Sequence, residues 1–155
     1  MKTVALAFIL TLWMAPDSSA QLMNQHGRIP RIGDPMPCIP SDTMMYMIRS
    51  AQLAWGCEIV VDGAKFFVGT IDKKRIAYIS TEDHLVTTPE GIHVGNRLDD
   101  VLHANGSEII AEPGWGYFSR LPSGWNALYA GVPGLDTVGG SLIRRDSIVA
   151  RLFQR

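Results

Sequence analysis

The chain has 155 residues, 46% of them apolar, and a formal net charge of −1 at pH 7. This length and apolar content support one compact domain and are too small for two large ones. Because there is no basic surplus, the charge balance excludes the usual electrostatic footprint of a nucleic-acid-binding protein, and no nucleic-acid partner is expected.

The first twenty residues have the pattern of a secretory signal peptide. Lys2 supplies a positive charge, an apolar stretch covers residues 4–14, and Ser18 and Ala20 place small side chains at a cleavage site. The apolar stretch is about half as long as a membrane span, so no span is expected after cleavage. We therefore predict a periplasmic or secreted protein with a signal peptide over residues 1–20 and a single domain over residues 21–155.

Two cysteines remain in the predicted exported chain, Cys38 and Cys57. An even number of cysteines in an exported protein favours a disulfide bond, while two buried thiols are the alternative. Closing a loop of about 20 residues stabilises a protein by roughly 3 kcal/mol in the chain-entropy model. Because the two residues do not form a C-x-x-C redox motif, we expect the bond to be structural.

A first helix is predicted after a proline-rich, extended lead over residues 21–40. The helical pattern begins at Ser41 or Asp42 and ends near Gly56. Its apolar residues recur at helical spacing: Met44, Met45, Ile48, Ala51 and Leu53 or Ala54. This spacing predicts that the methionines fill the core, although a methionine-rich binding groove is the alternative interpretation.

A three-stranded meander is expected next. Residues 57–61 are rich in β-branched side chains, Asp62-Gly63 is a hairpin turn signal, and residues 65–71 form the second strand. Residues 75–80 alternate between two faces, which is typical of a strand with one buried face.

The segment from Thr88 to Gly106 has the clearest signals for a loop followed by a helix. Gly95 permits a backbone turn, and Asn96 is suited to cap the helix N-terminus. Its apolar residues form one stripe: Leu98, Val101 and Leu102. We predict a helix over residues 97–104 that is architectural, because no group of nucleophile, base and orienting residue accompanies it.

The remaining chain repeats the order of the first half. Strands are predicted at four places, with a loop over residues 131–140: residues 108–111, 117–121, 126–130 and 147–153. This recurrence predicts an α+β fold with two divergent repeats, each a helix plus an antiparallel meander, that form one curved sheet. The approximate halves are residues 28–82 and 83–155.

The run TPEGIHVGN, residues 88–96, resembles the T-x-x-G-[IV]-x-V-G-[DN] element of small exported bacterial domains. It is also similar to the start of the helix in the β-lactamase-inhibitor-protein fold and in small outer-membrane-assembly lipoproteins. The resemblance implies a helical segment packed on a short meander, and a binding or inhibitory role rather than catalysis. It transfers no functional residue, and the chain lacks the lipid-bearing cysteine of the lipoproteins.

The strongest candidate for a binding site is the aromatic segment over residues 115–125. Aromatic rings and arginine on loops or hairpin ends are common anchors of protein interfaces. The candidate binding residues are Trp115, Tyr117, Arg120 and Trp125. Strand alternation also favours a structural role, in which some of these rings cover the sheet.

Histidine and aspartate residues between positions 83 and 103 raise the question of a metal site. Asp99 and His103 lie four residues apart on the predicted helix, but no third ligand has a spacing typical of zinc. No P-loop, nucleophile elbow, H-E-x-x-H or dinucleotide-binding fingerprint occurs either. The sequence therefore predicts no metal, no cofactor and no catalysis.

These patterns favour an exported protein that binds an envelope or extracellular protein, as a hydrolase inhibitor or an assembly accessory. The alternative is a protein that binds a small ligand or a cell-wall fragment through the aromatic segment. A hydrolase assembled from residues distant in sequence is the third hypothesis. A ligand-binding protein should have a pocket, and an enzyme should have a cleft that contains perturbed titratable groups.

Overall fold

The computed structural model describes residues 23–25, 27–105, 108–113, 115–130, 137–138, 141–144 and 146–155. The predicted signal peptide over residues 1–20 lies outside these ranges, as does most of the predicted loop over residues 131–140. Within the described ranges, no helix has the length and apolar content needed to cross a membrane.

Across the described ranges the chain forms eleven strands and one helix. In chain order they are β1 (Met23–Gln25), β2 (Ser41–Arg49), β3 (Gln52–Val61), β4 (Ala64–Thr70), β5 (Tyr78–Thr81), α1 (Leu98–Asn105), β6 (Ile109–Glu112), β7 (Gly116–Arg120), β8 (Asn126–Ala130), β9 (Thr137–Val138), β10 (Ser141–Leu142) and β11 (Ile148–Gln154).

Nine of these strands form one sheet. Its order is β1, β3, β4, β5, β11, β8, β7, β6, with β2 also paired to β3, and β9 and β10 form a separate hairpin. Strand β1 runs parallel to β3, and the other pairs are antiparallel. Strand β11 lies between β5 and β8, so the last strand joins the two meanders into one sheet.

The predicted α+β fold with two helix-plus-meander repeats is wrong. The segment expected to form the first helix instead forms β2 and most of the β2–β3 hairpin, in which Met47 pairs with Leu53. Its apolar residues also alternate, so that Ile48 is buried while Met45 and Met47 are exposed. Ala51 adopts a φ of 59° in the turn between the strands, which a continuous helix would not contain. The described residues therefore contain one helix and no repeated helix-plus-meander unit.

Several local predictions are confirmed. Helix α1 lies within one residue of the predicted range, and the side chains of Leu98 and Val101 are fully buried. The hairpin turn between β3 and β4 lies at Asp62 and Gly63, which have φ values of 49° and 87°. Both φ values are positive, as a two-residue hairpin turn of this kind requires.

The helix cap differs from the prediction. The Asn96 side-chain oxygen accepts a hydrogen bond from the His93 N–H at 2.7 Å, so it stabilises the preceding loop. At the helix start, the Asp100 carboxylate accepts a hydrogen bond from the Arg97 N–H at 3.0 Å. This contact places the carboxylate at the positive end of the helix dipole.

The sheet buries side chains on both faces. Its outer face forms the larger core, on which α1 and residues of the extended lead pack. Its inner face is covered by six rings, which we call the inner aromatic cluster: Tyr46, Phe67, Tyr78, Trp115, Phe118 and Phe153. Their centroids lie 4.1–6.2 Å apart in stacked, tilted and edge-on pairs, a range in which aromatic rings attract each other.

Two glycines make room for this cluster. Gly56 of β3 pairs with Gly69 of β4, and the Phe67 ring covers both positions. A Cβ atom at Gly56 would lie 2.3 Å from the Phe67 Cζ atom and 2.3 Å from the Val68 carbonyl oxygen. The absence of side chains at the two positions therefore lets the sheet curl around the inner rings.

A polar contact brings the two edges of the curled sheet together. The Ser50 N–H, in the β2–β3 turn, donates to a Glu112 carboxylate oxygen of β6 at 2.9 Å. The Arg155 guanidinium donates to the same carboxylate and, at 2.8 Å, to the carbonyl oxygen of Ile48. We call these four residues the edge latch. The inner face is therefore the concave side of the sheet.

The predicted disulfide bond is confirmed. Cys38 and Cys57 are bonded, and their Cα atoms lie 6.6 Å apart. The bond ties the extended lead to β3. A structural disulfide of this kind fits an exported protein.

Candidate functional site

The aromatic segment does not present its tryptophan rings on an exposed edge. Trp125 is 9% exposed and belongs to the outer-face core, and Tyr117 packs against the same core. Trp115 lies in the inner aromatic cluster, with its ring centroid 5.6 Å from that of Phe153. Of the four predicted binding residues, only Arg120 is exposed to solvent.

A cleft of about 620 Å³ lies beside the edge latch. We call it the arginine cleft. It is lined by residues from four strands, the β7–β8 turn and the C-terminal end of β11: Arg49, Glu112, Phe118, Arg120, Leu121, Gly124, Trp125, Asn126 and Arg155. Two predicted binding residues, Arg120 and Trp125, therefore meet in one site with residues far away in sequence.

The pairing of three strands fixes the position of one wall of the cleft. Arg120 pairs with Asn126 across β7 and β8, and Asn126 pairs with Phe153 of β11. The Asn126 side-chain amide also donates to the carbonyl oxygen of Phe153 at 3.1 Å. These contacts hold the Arg120 backbone in a fixed position at the cleft.

The loop at residues 88–91 (TPEG) supports the β7–β8 turn, which lines the cleft. The Glu90 carboxylate accepts a hydrogen bond from the Ser123 hydroxyl at 2.8 Å and a second one from the Ser123 N–H. Burial raises the pKa of Glu90, but the hydrogen bonds, chiefly from Ser123, outweigh it and hold this pKa below its ordinary value. Gly124 has a φ of 87°, which a residue with a side chain resists. The loop that precedes the predicted helix thus stabilises the turn that lines the cleft.

The lining of the cleft is positively charged. Three arginines against one glutamate leave a formal side-chain charge of +2. The hydrogen bond from Arg155 is the largest effect on Glu112 and lowers its pKa; burial opposes this effect, and the hydrogen bond from the Ser50 N–H adds to it, so that the pKa is lowered. Glu112 is therefore ionised near neutral pH and is paired with Arg155.

Arg155 is held on three sides. Its guanidinium carbon lies 5.1 Å from the Phe118 ring centroid, 5.4 Å from that of Phe153 and 5.5 Å from that of Trp115. Its side chain is 13% exposed, and that of Glu112 is 21% exposed. Cation–π contacts of this kind add to the ion pair, so Arg155 forms a fixed part of the cleft.

A second cleft, of about 460 Å³, collects acidic and basic groups. Its charged and imidazole residues are Glu58, Lys65, Glu82, Asp83, His84 and Arg151. Hydrogen bonds from the Leu85 and Lys65 N–H groups lower the pKa of Asp83, and Glu82 is paired with Arg151. Two of the three carboxylates therefore have structural partners, and a lowered pKa is the opposite of the tuning that a general acid needs at neutral pH.

The residues considered for metal binding do not come together. The described part of the chain contains no group of three or more His, Cys, Asp or Glu side chains arranged to bind a metal. The His103 Nδ1 lies 2.6 Å from the Asp99 backbone oxygen, and the His93 Nδ1 lies 2.8 Å from that of Val94. Both imidazole rings therefore contact the backbone.

Most lining residues of the arginine cleft were not predicted from the sequence. Arg49, Glu112, Asn126 and Arg155 were not candidates, because they lie on strands separated by many residues and form no local motif. The signals in the sequence were Arg120 and Trp125 within the aromatic segment.

Comparison with known proteins provides no relative for this chain. No protein-family model matches it, and neither a curated protein nor a solved structure matches it significantly.

Proposed function

We propose that this chain is an exported, non-catalytic binding protein, and that the arginine cleft is its binding site for a small ligand. The observation that carries the proposal is one open cleft of about 620 Å³ that three arginines line beside the nearly buried side chains of Phe118, Leu121 and Trp125. Small-molecule sites occupy roughly 300–1,000 Å³ and combine apolar walls with a few polar groups. A periplasmic or secreted location is part of this proposal, and the disulfide bond supports it.

The rigidity of the frame supports a binding role. Arg155 is held by the edge latch and three rings, and the β7–β8 turn is held by Glu90. A preformed site loses little conformational entropy when its ligand binds, so more of the interaction energy is available for affinity.

The titratable groups of the cleft favour binding over catalysis. General acid–base catalysis at neutral pH requires a group whose pKa lies near 7. The one carboxylate in the lining, Glu112, has a lowered pKa and two partners. The remaining charged groups are arginines, which stay protonated in proteins. The cleft is therefore equipped to hold a ligand and not to transfer a proton.

A screen by nuclear magnetic resonance tests the proposal. We expect at least one compound from a library of neutral, cationic and anionic molecules, including cell-wall fragments, to shift the backbone amide signals of Arg120, Gly124 and Asn126. The amides of Lys65 and Glu82, at the second cleft, serve as the internal control. Hits that shift only the second cleft, or no hits at all, would contradict the proposal.

Protein binding is the second candidate function, and an exposed apolar patch favours it. Met45, Met47 and Leu53 on the outer side of the β2–β3 hairpin are 44–51% exposed. Met47 and Leu53 are directly paired across the two strands, so the exposed side chains are neighbours. Adjacent exposed apolar side chains are typical of protein-interaction surfaces. The partner would be an envelope protein that docks through this patch rather than through the tryptophans.

A matched pair of charge substitutions tests this second candidate. We expect Met47→Lys to abolish co-purification of a stoichiometric envelope protein, because burying an unpaired ammonium group is costly. Leu85→Lys introduces the same charge at another exposed apolar position and should leave the complex intact. Equal recovery of the partner with both variants would exclude the patch as the docking surface.

A further inference from the structure

We propose that this protein docks on an anionic lipid bilayer through a basic surface that is separate from the arginine cleft. The surface consists of two contacting segments, residues 28–39 of the extended lead and residues 71–76 between β4 and β5, and we call it the lead surface. The proposal does not depend on the binding function of the cleft, because the two sites share no residue.

Hydrogen bonds join the two segments. The Gly33 N–H donates to the Ile76 carbonyl oxygen at 2.8 Å, and the Met36 N–H donates to that of Lys74 at 2.9 Å. The Arg75 guanidinium also donates to the Gly33 carbonyl oxygen at 2.7 Å. Because these bonds fix one segment against the other, the two segments form one continuous part of the surface.

The lead surface is basic, whereas the chain as a whole is slightly acidic. Five basic residues against Asp34 and Asp72 give the surface a formal charge of +3, and the whole chain has a net charge of −1. Lys73 contacts an aromatic ring, with its Nζ 5.3 Å from the Trp55 ring centroid. Without Lys73 the formal charge of the surface is still +2. Positive charge is therefore concentrated in this part of the molecule.

Three basic side chains of the surface are exposed: Arg31, Lys74 and Arg75. The guanidinium of Arg75 bonds a neutral carbonyl oxygen, so it keeps its charge. The Asp72 carboxylate accepts hydrogen bonds from the Lys74 and Arg75 N–H groups at 2.8 and 2.9 Å. Asp34 is paired with Arg28. The two acidic side chains therefore have partners within the surface, and its positive charge faces the solvent.

Exposed isoleucine side chains lie among these charges. Ile32, Ile39 and Ile71 are 41%, 94% and 47% exposed, and all three belong to the lead surface. A single exposed apolar side chain is ordinary in a soluble protein. Three of them within two contacting segments instead provide an apolar element that a partner can remove from water.

The disulfide bond and strand pairing hold two of these isoleucines near each other. Ile39 follows Cys38, which is bonded to Cys57 of β3. Ile71 follows the last residue of β4, which pairs with Trp55 of β3. Residues two apart on a strand lie roughly 7 Å apart and share a face. Both isoleucines are therefore attached at neighbouring positions of β3.

This combination indicates the class of partner. Basic side chains are attracted to anionic lipid headgroups, and exposed aliphatic side chains enter the apolar boundary below the headgroups. A soluble acidic polymer would be bound by the basic side chains alone and would leave the isoleucines in water. The isoleucines therefore favour a bilayer surface over a soluble polyanion.

Sedimentation with lipid vesicles tests the proposal. The protein purified after export should bind vesicles of phosphatidylcholine and phosphatidylglycerol in equal parts roughly tenfold more tightly than vesicles of phosphatidylcholine alone. Binding should weaken as salt is raised, because mobile ions screen exposed charges. Equal affinity for both kinds of vesicle, or binding to neither, would contradict the proposal.

Substitutions separate the contributions of charge and apolar contact. Arg31→Gln and Lys74→Gln should each weaken binding to the anionic vesicles by roughly fivefold, because each removes one basic side chain near the headgroups. Ile39→Ser should weaken it by roughly tenfold, because its side chain no longer leaves water on binding. The control variants Lys65→Gln and Ile148→Ser remove the same types of side chain at exposed positions outside the lead surface and should bind normally.

Polyglutamate serves as the competing soluble partner. If it binds as tightly as the anionic vesicles and Ile39→Ser keeps full affinity, the lead surface recognises an acidic macromolecule and the bilayer proposal is overturned. Unchanged vesicle binding by Arg31→Gln and Lys74→Gln would also overturn it, because the contact would then lie elsewhere. Equal thermal stability of the variants shows that they fold.

Discussion

Replacing Gly56 with alanine should lower the free energy of unfolding by about 3 kcal/mol, the upper end of the usual cost of overpacking. The added methyl group would lie 2.3 Å from both the Phe67 ring and the Val68 carbonyl oxygen. The ring belongs to a side chain, whereas the carbonyl belongs to the backbone of the paired strand β4. The substitution therefore forces β3 and β4 apart where the sheet curls. Chemical denaturation of the purified variant measures the loss.

The paired glycine provides a graded control. A Cβ atom at Gly69 would lie 3.1 Å from the Ala54 Cβ and the Phe67 ring, both of which are side-chain atoms. Gly69→Ala should therefore cost about 1 kcal/mol, less than Gly56→Ala. Adding Phe67→Leu to Gly56→Ala should restore stability only in part, because the contact with the Val68 carbonyl remains. A Gly56→Ala variant as stable as the wild type would show that this position does not limit the curl.

Replacing Arg155 with leucine should lower the free energy of unfolding by about 2–4 kcal/mol. The substitution leaves the Glu112 carboxylate, which is 21% exposed, without its ion-pair partner. It also removes the donor to the Ile48 carbonyl oxygen and the cation–π contacts with the inner rings. The Ser50 N–H would then be the remaining hydrogen-bond donor of the edge latch to Glu112. Thermal and chemical denaturation at pH 7 measure the loss.

The stability lost in the Arg155→Leu variant should also depend on pH. The pKa of Glu112 is lowered in the folded state, chiefly by Arg155, so its pairing stabilises the protein above its ordinary pKa. This stabilisation is lost as the pH falls through the lowered pKa. The stability difference between the wild type and Arg155→Leu should therefore narrow on acidification.

An exposed ion pair provides the control for the latch. Arg28 and Asp34 lie 2.9 Å apart at the surface, where such pairs contribute little. Arg28→Leu should change stability by less than about 0.5 kcal/mol at pH 7. Equal losses of unfolding free energy in Arg28→Leu and Arg155→Leu would mean that the edge latch stabilises the protein no more than a surface ion pair does.

Local signals in the sequence predicted local structure well. Asp62-Gly63 predicted a hairpin turn because these residues tolerate positive φ, and helix α1 followed from the spacing of Leu98 and Val101. The Cys38–Cys57 bond followed from an even cysteine count in a predicted exported chain. Each of these features depends on the residue types themselves or on neighbours only a few positions away.

The first helix was predicted wrongly because one apolar pattern fits two periods. Met44, Met45 and Ile48 recur at helical spacing, but Met45, Met47 and Leu53 also share one face of a strand hairpin. Over nine residues, the length of β2, periodicity does not separate the two interpretations. The segment forms a strand because it pairs with β3, which is itself held in the sheet by β1 and β4. Backbone hydrogen bonds to other strands are invisible in a local pattern.

The candidate site was predictable only in part. The aromatic segment contains five lining residues of the arginine cleft, two of which, Arg120 and Trp125, were predicted to bind, but its tryptophans are packing residues rather than exposed anchors. Whether a ring faces the core or the solvent depends on which elements cover that face. Here β2 pairs with β3, and Tyr46 of β2 stacks on Phe67 at the inner face.

By itself, the sequence determined the features that depend on residue chemistry and short spacing: the hairpin turn at Asp62-Gly63, the position of α1 and the pairing of its two cysteines. Only the tertiary structure decided that the chain forms one curled sheet and that Arg49, Arg120 and Arg155 line one cleft. The reason is physical. The register and curl of a sheet are set by contacts between residues far apart in the chain, and the three arginines become neighbours only when those contacts form.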